Sequence, residues 1–137
     1  MKILLSLFLL VNTFLPSTSP NGDADCIKHK YKGTWKNNSI YVVINEAVFN
    51  NFLSYNGTLS GYSQYKNNVC PISGTFKLVS QGTYTVSFYE SSDEKYCNAS
   101  FDGTIKCYSD GTVFDGEIIT PGEYSPKQDA LEMTSVD

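Results

Sequence analysis

The sequence contains no arginine, a single histidine and a single tryptophan, and its 10 basic residues are all lysine. Against 14 acidic residues this leaves a formal charge of -4. Nucleic-acid recognition relies on a basic face and commonly on arginine forks, so phosphate polymers are excluded as partners. With His29 alone, the usual routes to general-base catalysis and to histidine-rich metal centres are closed. No cysteine pair has the CxxC spacing of zinc or thioredoxin-type sites. There is no glycine-rich phosphate loop and no basic amphipathic helix. No apolar run reaches the roughly 20 residues that a membrane-spanning helix needs.

What the chain has instead is aromatic side chains, with 10 Tyr and 8 Phe among 137 residues. Its start is an address: Met1-Lys2, then the apolar run Ile3 to Leu15 broken only by Ser6, Asn12 and Thr13, then Pro16 and small polar residues. That is the layout of a secretory signal peptide, with a cut expected after Ser17 or after Ala24, and no membrane contact after cleavage. The expected organisation is therefore a leader over 1–24, a folded domain over 25–120 and a polar tail over 121–137. Secretion gives the four cysteines, Cys26, Cys70, Cys97 and Cys107, an oxidising compartment and two disulfides, with three pairings open. Asn37, Asn56 and Asn98 each begin an N-glycosylation triplet, placing their segments at the surface of an extracellular protein.

Six of the 10 glycines stand in one phrase, Gly-Thr-apolar, at Gly33, Gly57, Gly74, Gly82, Gly103 and Gly111. Glycine admits the positive φ of a tight turn or a bulge, and threonine followed by an apolar residue begins a pleated strand. Alternation such as Tyr84-Thr85-Val86-Ser87-Phe88 continues several of them. Strands are predicted near 31–36, 39–45, 57–63, 72–79, 83–90, 98–107 and 112–120. Between them, Val48, Phe49, Phe52 and Leu53 recur at helical spacing, which favours a helical turn or a packed loop over 45–55. The fold class is all-β: an antiparallel up-and-down meander forming a small barrel of seven or eight strands.

A search for chemistry returns ordinary features. Gly61-Tyr62-Ser63-Gln64-Tyr65 lacks the second glycine of a nucleophile elbow and any histidine partner. The Asp-Gly pairs at 102, 110 and 115 lack the alternating oxygens of a calcium loop and read as turns. Neither an enzyme, a metal site nor a cofactor is expected.

From Gly33-Thr34-Trp35-Lys36-Asn37 onward the sequence resembles the avidin and streptavidin family, whose first barrel strand carries G-x-W-x-N. The resemblance continues at Leu59-Ser60-Gly61-Tyr62, Ser73-Gly74-Thr75-Phe76, Tyr84-Thr85-Val86-Ser87-Phe88, Phe101-Asp102-Gly103 and Glu117-Ile118-Ile119-Thr120. It implies an eight-stranded barrel with a ligand in its mouth. Asn37 would stand where the family's asparagine bonds the ureido oxygen of biotin, with Ser39 at the loop serine and Tyr62 at the pocket tyrosine. Phe88 and Phe101 would replace pocket tryptophans, and Trp35 would complete the walls. The resemblance also implies the pairing Cys26 with Cys107, leaving Cys70 with Cys97.

The chain departs from that pattern in places. Ala99 and Cys97 fall where the family has inward hydroxyls, and Glu117 falls where it has a tryptophan. The closing strand, with its ligand-binding aspartate, has no visible counterpart in the tail. Each missing polar partner costs about 1 to 3 kcal/mol, so tight biotin binding is not implied. Asn37 is also in conflict with itself, since a glycan on its amide would block the ligand it is meant to hold.

Two functions follow as expectations. One is a secreted glycoprotein that binds a small, partly apolar ligand in a barrel mouth. The other is a secreted glycoprotein with a filled core that meets an extracellular protein through its surface, with oligomerisation open to it through a free strand edge.

Overall fold

The computed structural model describes residues 23–51 and 53–136. The predicted leader lies outside the described residues except for Asp23 and Ala24, as does Phe52. After a 3-10 turn at Asp25–Ile27 come β1 (Lys30–Trp35), β2 (Asn38–Phe49), β3 (Asn56–Tyr65), β4 (Asn68–Ser80), β5 (Thr83–Glu90), β6 (Ser100–Tyr108), β7 (Gly111–Thr120) and β8 (Lys127–Ser135). Each strand pairs antiparallel with the next, and β8 pairs back with β1, closing an up-and-down barrel. Closure leaves no free edge to attract other strands.

Alternation decides which side chains fill the lumen. Tyr84, Val86 and Phe88 of β5 are buried, while Thr85, Ser87 and Tyr89 between them are exposed. The same period places Ile40, Val42 and Ile44 of β2, Phe76 and Leu78 of β4, and Phe114 and Ile118 of β7 in one core. Burying a phenylalanine or isoleucine side chain stabilises by about 1.5 to 3 kcal/mol, so this stripe supplies the main driving force.

Two expectations about element boundaries are corrected. Among its described residues the stretch 45–55 contains no helical turn: β2 runs on to Phe49, with a bulge between Ile44 and Glu46 that takes up one extra residue. The bulge switches the inward positions from even to odd numbers, so Ala47 and Phe49 are buried while Val48 is exposed. The segment 121–137 is not merely a tail, because β8 forms the closing strand and pairs with β7 from Val113↔Thr134 to Thr120↔Lys127. Its inward positions are Asp129, Leu131, Met133 and Ser135, only two of them apolar.

The glycine phrases divide into two kinds. Gly82 has φ 73° and Gly111 φ 152°, the positive backbone angles predicted for turns. Gly33, Gly57, Gly74 and Gly103 instead lie within strands on the lumen side without positive φ, which corrects their reading as turn or bulge residues. A Cβ on Gly74 would stand 2.2 Å from the Ser87 carbonyl oxygen, and one on Gly103 would stand 2.6 Å from that of Asp115. Such contacts are forbidden, so these positions carry glycine because neighbouring strands coil tightly together at the corners of a small barrel.

Disulfides join Cys26 to Cys107 and Cys70 to Cys97. The first closes a sequence separation of 81 residues and pins the 3-10 turn beneath the barrel. There Ile27 is fully buried, the Tyr31 hydroxyl donates to the Ile27 carbonyl at 2.8 Å, and Thr112 Oγ1 donates to the Cys26 carbonyl at 3.4 Å. That end of the lumen is plugged.

Candidate functional site

The opposite end carries the loops β1–β2, β3–β4, β5–β6 and β7–β8, and its chemistry begins with two tight hairpins. Trp35 pairs with Asn38, leaving Lys36 (φ 50°) and Asn37 (φ 66°) as a two-residue turn. Tyr65 pairs with Asn68 in the same way around Lys66 and Asn67. Trp35 and Tyr65, the last residues of their strands, meet with ring centroids 4.7 Å apart. Lys36 Nζ lies 4.6 Å from the Trp35 ring and Lys66 Nζ lies 5.5 Å from the Tyr65 ring, so each ring faces a cation.

Two carboxylates complete this mouth. The indole Nε1 of Trp35 donates to Asp129 Oδ2 at 3.0 Å. Glu90, the last residue of β5, accepts from Ser63 Oγ at 2.5 Å and from the Ala99 backbone N–H at 3.0 Å. Trp35, Tyr65, Glu90 and Asp129 are all half-buried, whereas Ser63 is 1% exposed. The serine hydroxyl is thus committed to a carboxylate and shielded from solvent. The 91–99 loop above them is tied to β4 by Cys70–Cys97 and by a hydrogen bond from the Ser91 N–H to the Pro71 carbonyl.

Beneath the mouth, buried aromatic rings stand in the lumen. Phe88 and Phe101 stack with centroids 4.8 Å apart and planes 19° from parallel, and they are 1% and 0% exposed. Phe114 meets Phe88 edge-on at 6.2 Å. These rings are partners to one another.

The structure therefore divides the six residues predicted as a ligand site. Trp35, Phe88 and Phe101 face the lumen, the last two buried below the mouth. Asn37 sits at an exposed hairpin tip, Ser39 is exposed on the outer wall, and Tyr62 points outward between its ladder partners Val43 and Pro71. Glu117 also lies on the outer wall, opposite Asp102 and Ala130. Sequence reasoning missed Ser63, Tyr65, Glu90 and Asp129 as mouth residues. A signal for Tyr65 was present: Trp35-Lys36-Asn37-Asn38 and Tyr65-Lys66-Asn67-Asn68 are one hairpin phrase written twice. Among the described residues no group of three or more His, Cys, Asp or Glu is arranged to hold a metal ion.

All three glycosylation triplets are exposed at their asparagines. The Asn98 amide donates to the Lys95 carbonyl at 2.9 Å, beside Cys97. Asn56 opens β3 with its side chain on the outer wall. Comparison with known proteins finds no family model, no curated protein and no solved structure that matches the chain.

Proposed function

We propose that this protein is a secreted, disulfide-stabilised glycoprotein with a filled barrel, acting through its outer wall rather than through a luminal ligand. The observation that carries this reading is the Phe88–Phe101 stack, two buried rings that contact each other beneath the mouth, on the side where the family resemblance would put a ligand. The plugged opposite end supports it. So does the outer wall around Cys70, where Tyr62, Val69 and Tyr89 are 37%, 52% and 54% exposed, an amphipathic surface suited to an extracellular protein partner. Two disulfides fit an oxidising compartment.

A second reading places a small ligand on the mouth, above the phenylalanines. Its motivation is the half-buried Trp35–Tyr65 pair beside Asp129. Trp35 is the only tryptophan, so its emission reports directly on that position. Titration with biotin and with common apolar ligands is expected to leave the emission unchanged. A saturable shift transfers the function to the mouth.

A further inference from the structure

The outer wall holds a groove of about 650 Å³ crossing β3, β4, β5 and β6. That volume lies within the roughly 300 to 1,000 Å³ of small-molecule sites. Two rows of outward side chains line it. Thr75 faces Ser87 across the ladder, and Ser87 faces Asp102; in the next row Asn56 faces Lys77, and Lys77 faces Thr85. Short side chains and the backbone at Gly57 and Gly103 make the floor, with Asn50 at one end. The lining thus combines amides, hydroxyls, one ammonium and one carboxylate, and Ser87 Oγ already donates to Asp102 Oδ1 at 2.6 Å. A carboxylate held in this way keeps acceptor capacity for further hydroxyl donors. Neutral, hydroxyl-rich sugars match such a lining.

Asn56 is both a wall of this groove and the acceptor of a glycosylation triplet. Its side-chain amide makes no hydrogen bond among the described residues, whereas that of Asn98 is engaged with Lys95. Thr58, the third member of the triplet, lies on the same outer face two residues along the strand. Neither Asn37 nor Asn98 lines the groove.

We propose that Asn56 carries an N-linked glycan and that this groove seats its first sugars along Thr75, Ser87 and Asp102. The attachment takes an oligosaccharide from a lipid-pyrophosphate donor of the secretory pathway. The sugar C1–O bond to phosphate breaks, a bond from C1 to Asn56 Nδ2 forms, one amide proton is lost, and the lipid pyrophosphate leaves. A seated glycan would cover part of the strand wall and restrict partners to the remaining surface. This inference rests on the secreted-glycoprotein reading and gives it a defined site.

The test uses the full chain secreted from a eukaryotic host. Site-by-site glycopeptide mass spectrometry follows release by a peptide-N-glycosidase from native and from denatured protein. The Asn56 glycan is expected to be released about tenfold more slowly from native than from denatured protein, the protection that ~1.4 kcal/mol of seating provides. Asp102→Ala, at an exposed position that leaves the triplet intact, is expected to remove most of that protection. Equal release rates in the two states, or protection unchanged in Asp102→Ala, would overturn the seating. An unoccupied Asn56 with glycan on Asn37 or Asn98 overturns this inference and leaves the glycoprotein reading standing. No glycan at any of the three sites overturns both.

Discussion

Trp35 Nε1 donates to Asp129 Oδ2 across the seam where the barrel closes, linking the last residue of β1 to the inward face of β8. The backbone ladder there is short, only Tyr31↔Ser135, Lys32↔Thr134 and Gly33↔Met133. The side-chain bond therefore extends the seam beyond the ladder. Asp129→Ala is expected to lower stability by about 1 to 2 kcal/mol, below the full value of a charge-assisted hydrogen bond because the pair is half-buried. Asp129→Asn retains an acceptor and should lose less. Urea unfolding followed by Trp35 emission measures both, and equal stability of Asp129→Ala and wild type contradicts the role.

Inward and outward aromatics should respond very unequally to truncation. Phe101→Ala removes a fully buried ring from the centre of the stack and is expected to cost about 3 to 5 kcal/mol through lost transfer energy and the cavity left behind. Tyr62→Ala, on the outer wall, should stay within about 0.5 kcal/mol of wild type. Similar losses in the two variants would refute the assigned parity of β3 and β6.

Alkaline stability reports on Tyr84. Its ring is buried against Phe76 at 5.7 Å. Burial, and secondarily the negative charge of Asp25, raises its phenol above the ordinary value of 10.0. In the unfolded chain the phenol ionises first, so the unfolded state releases its proton while the folded state still holds it. The stabilisation is thus fully present below about pH 10 and is lost as pH rises through the raised folded value. Tyr84→Phe should show a shallower decline above pH 10 than wild type. Parallel curves would show that the shift contributes nothing.

On the secreted reading proposed above, the leader is expected to be cut upstream of Asp23, which favours the site after Ser17 over the one after Ala24. Ala24 is 2% exposed, and its backbone N–H donates to the Ala47 carbonyl at 2.8 Å. Asp23 Oδ2 lies 3.1 Å from Lys28 Nζ, and Asp23 bridges to Val48. Cleavage after Ala24 would remove a packed residue and leave Ala47 without its donor. N-terminal sequencing of the secreted protein should find Asp23 and Ala24 retained, and a chain beginning at Asp25 contradicts this.

Most of the barrel was legible because period-2 alternation is strong wherever an inward position carries Val, Ile, Phe or Tyr, as in β5. It failed where inward positions are polar or small. In β8, Asp129 and Ser135 face the lumen, so only Leu131 and Met133 mark the pattern. In β2, the extra residue at the bulge shifts the period, and Val48 and Phe49 fall at spacing that imitates a helix. The lumen glycines were read as turns because the steric demand they answer comes from strands distant in sequence, such as Ser87 against Gly74. The mouth was half legible. Trp35 stood out as the only tryptophan, but its bond to Asp129 spans 94 residues. Ser63 and Glu90 lie on strands that do not pair with each other, so no local pattern joins them.

Whether the lumen is filled by the protein's own rings is decided most directly by native mass spectrometry of the secreted chain. The expected mass is that of the polypeptide with two disulfides and whatever covalent modifications it carries, unchanged when the protein is unfolded with its covalent bonds intact. A small molecule retained in the native spectrum and released on unfolding would contradict the filled barrel and return the function to a ligand site.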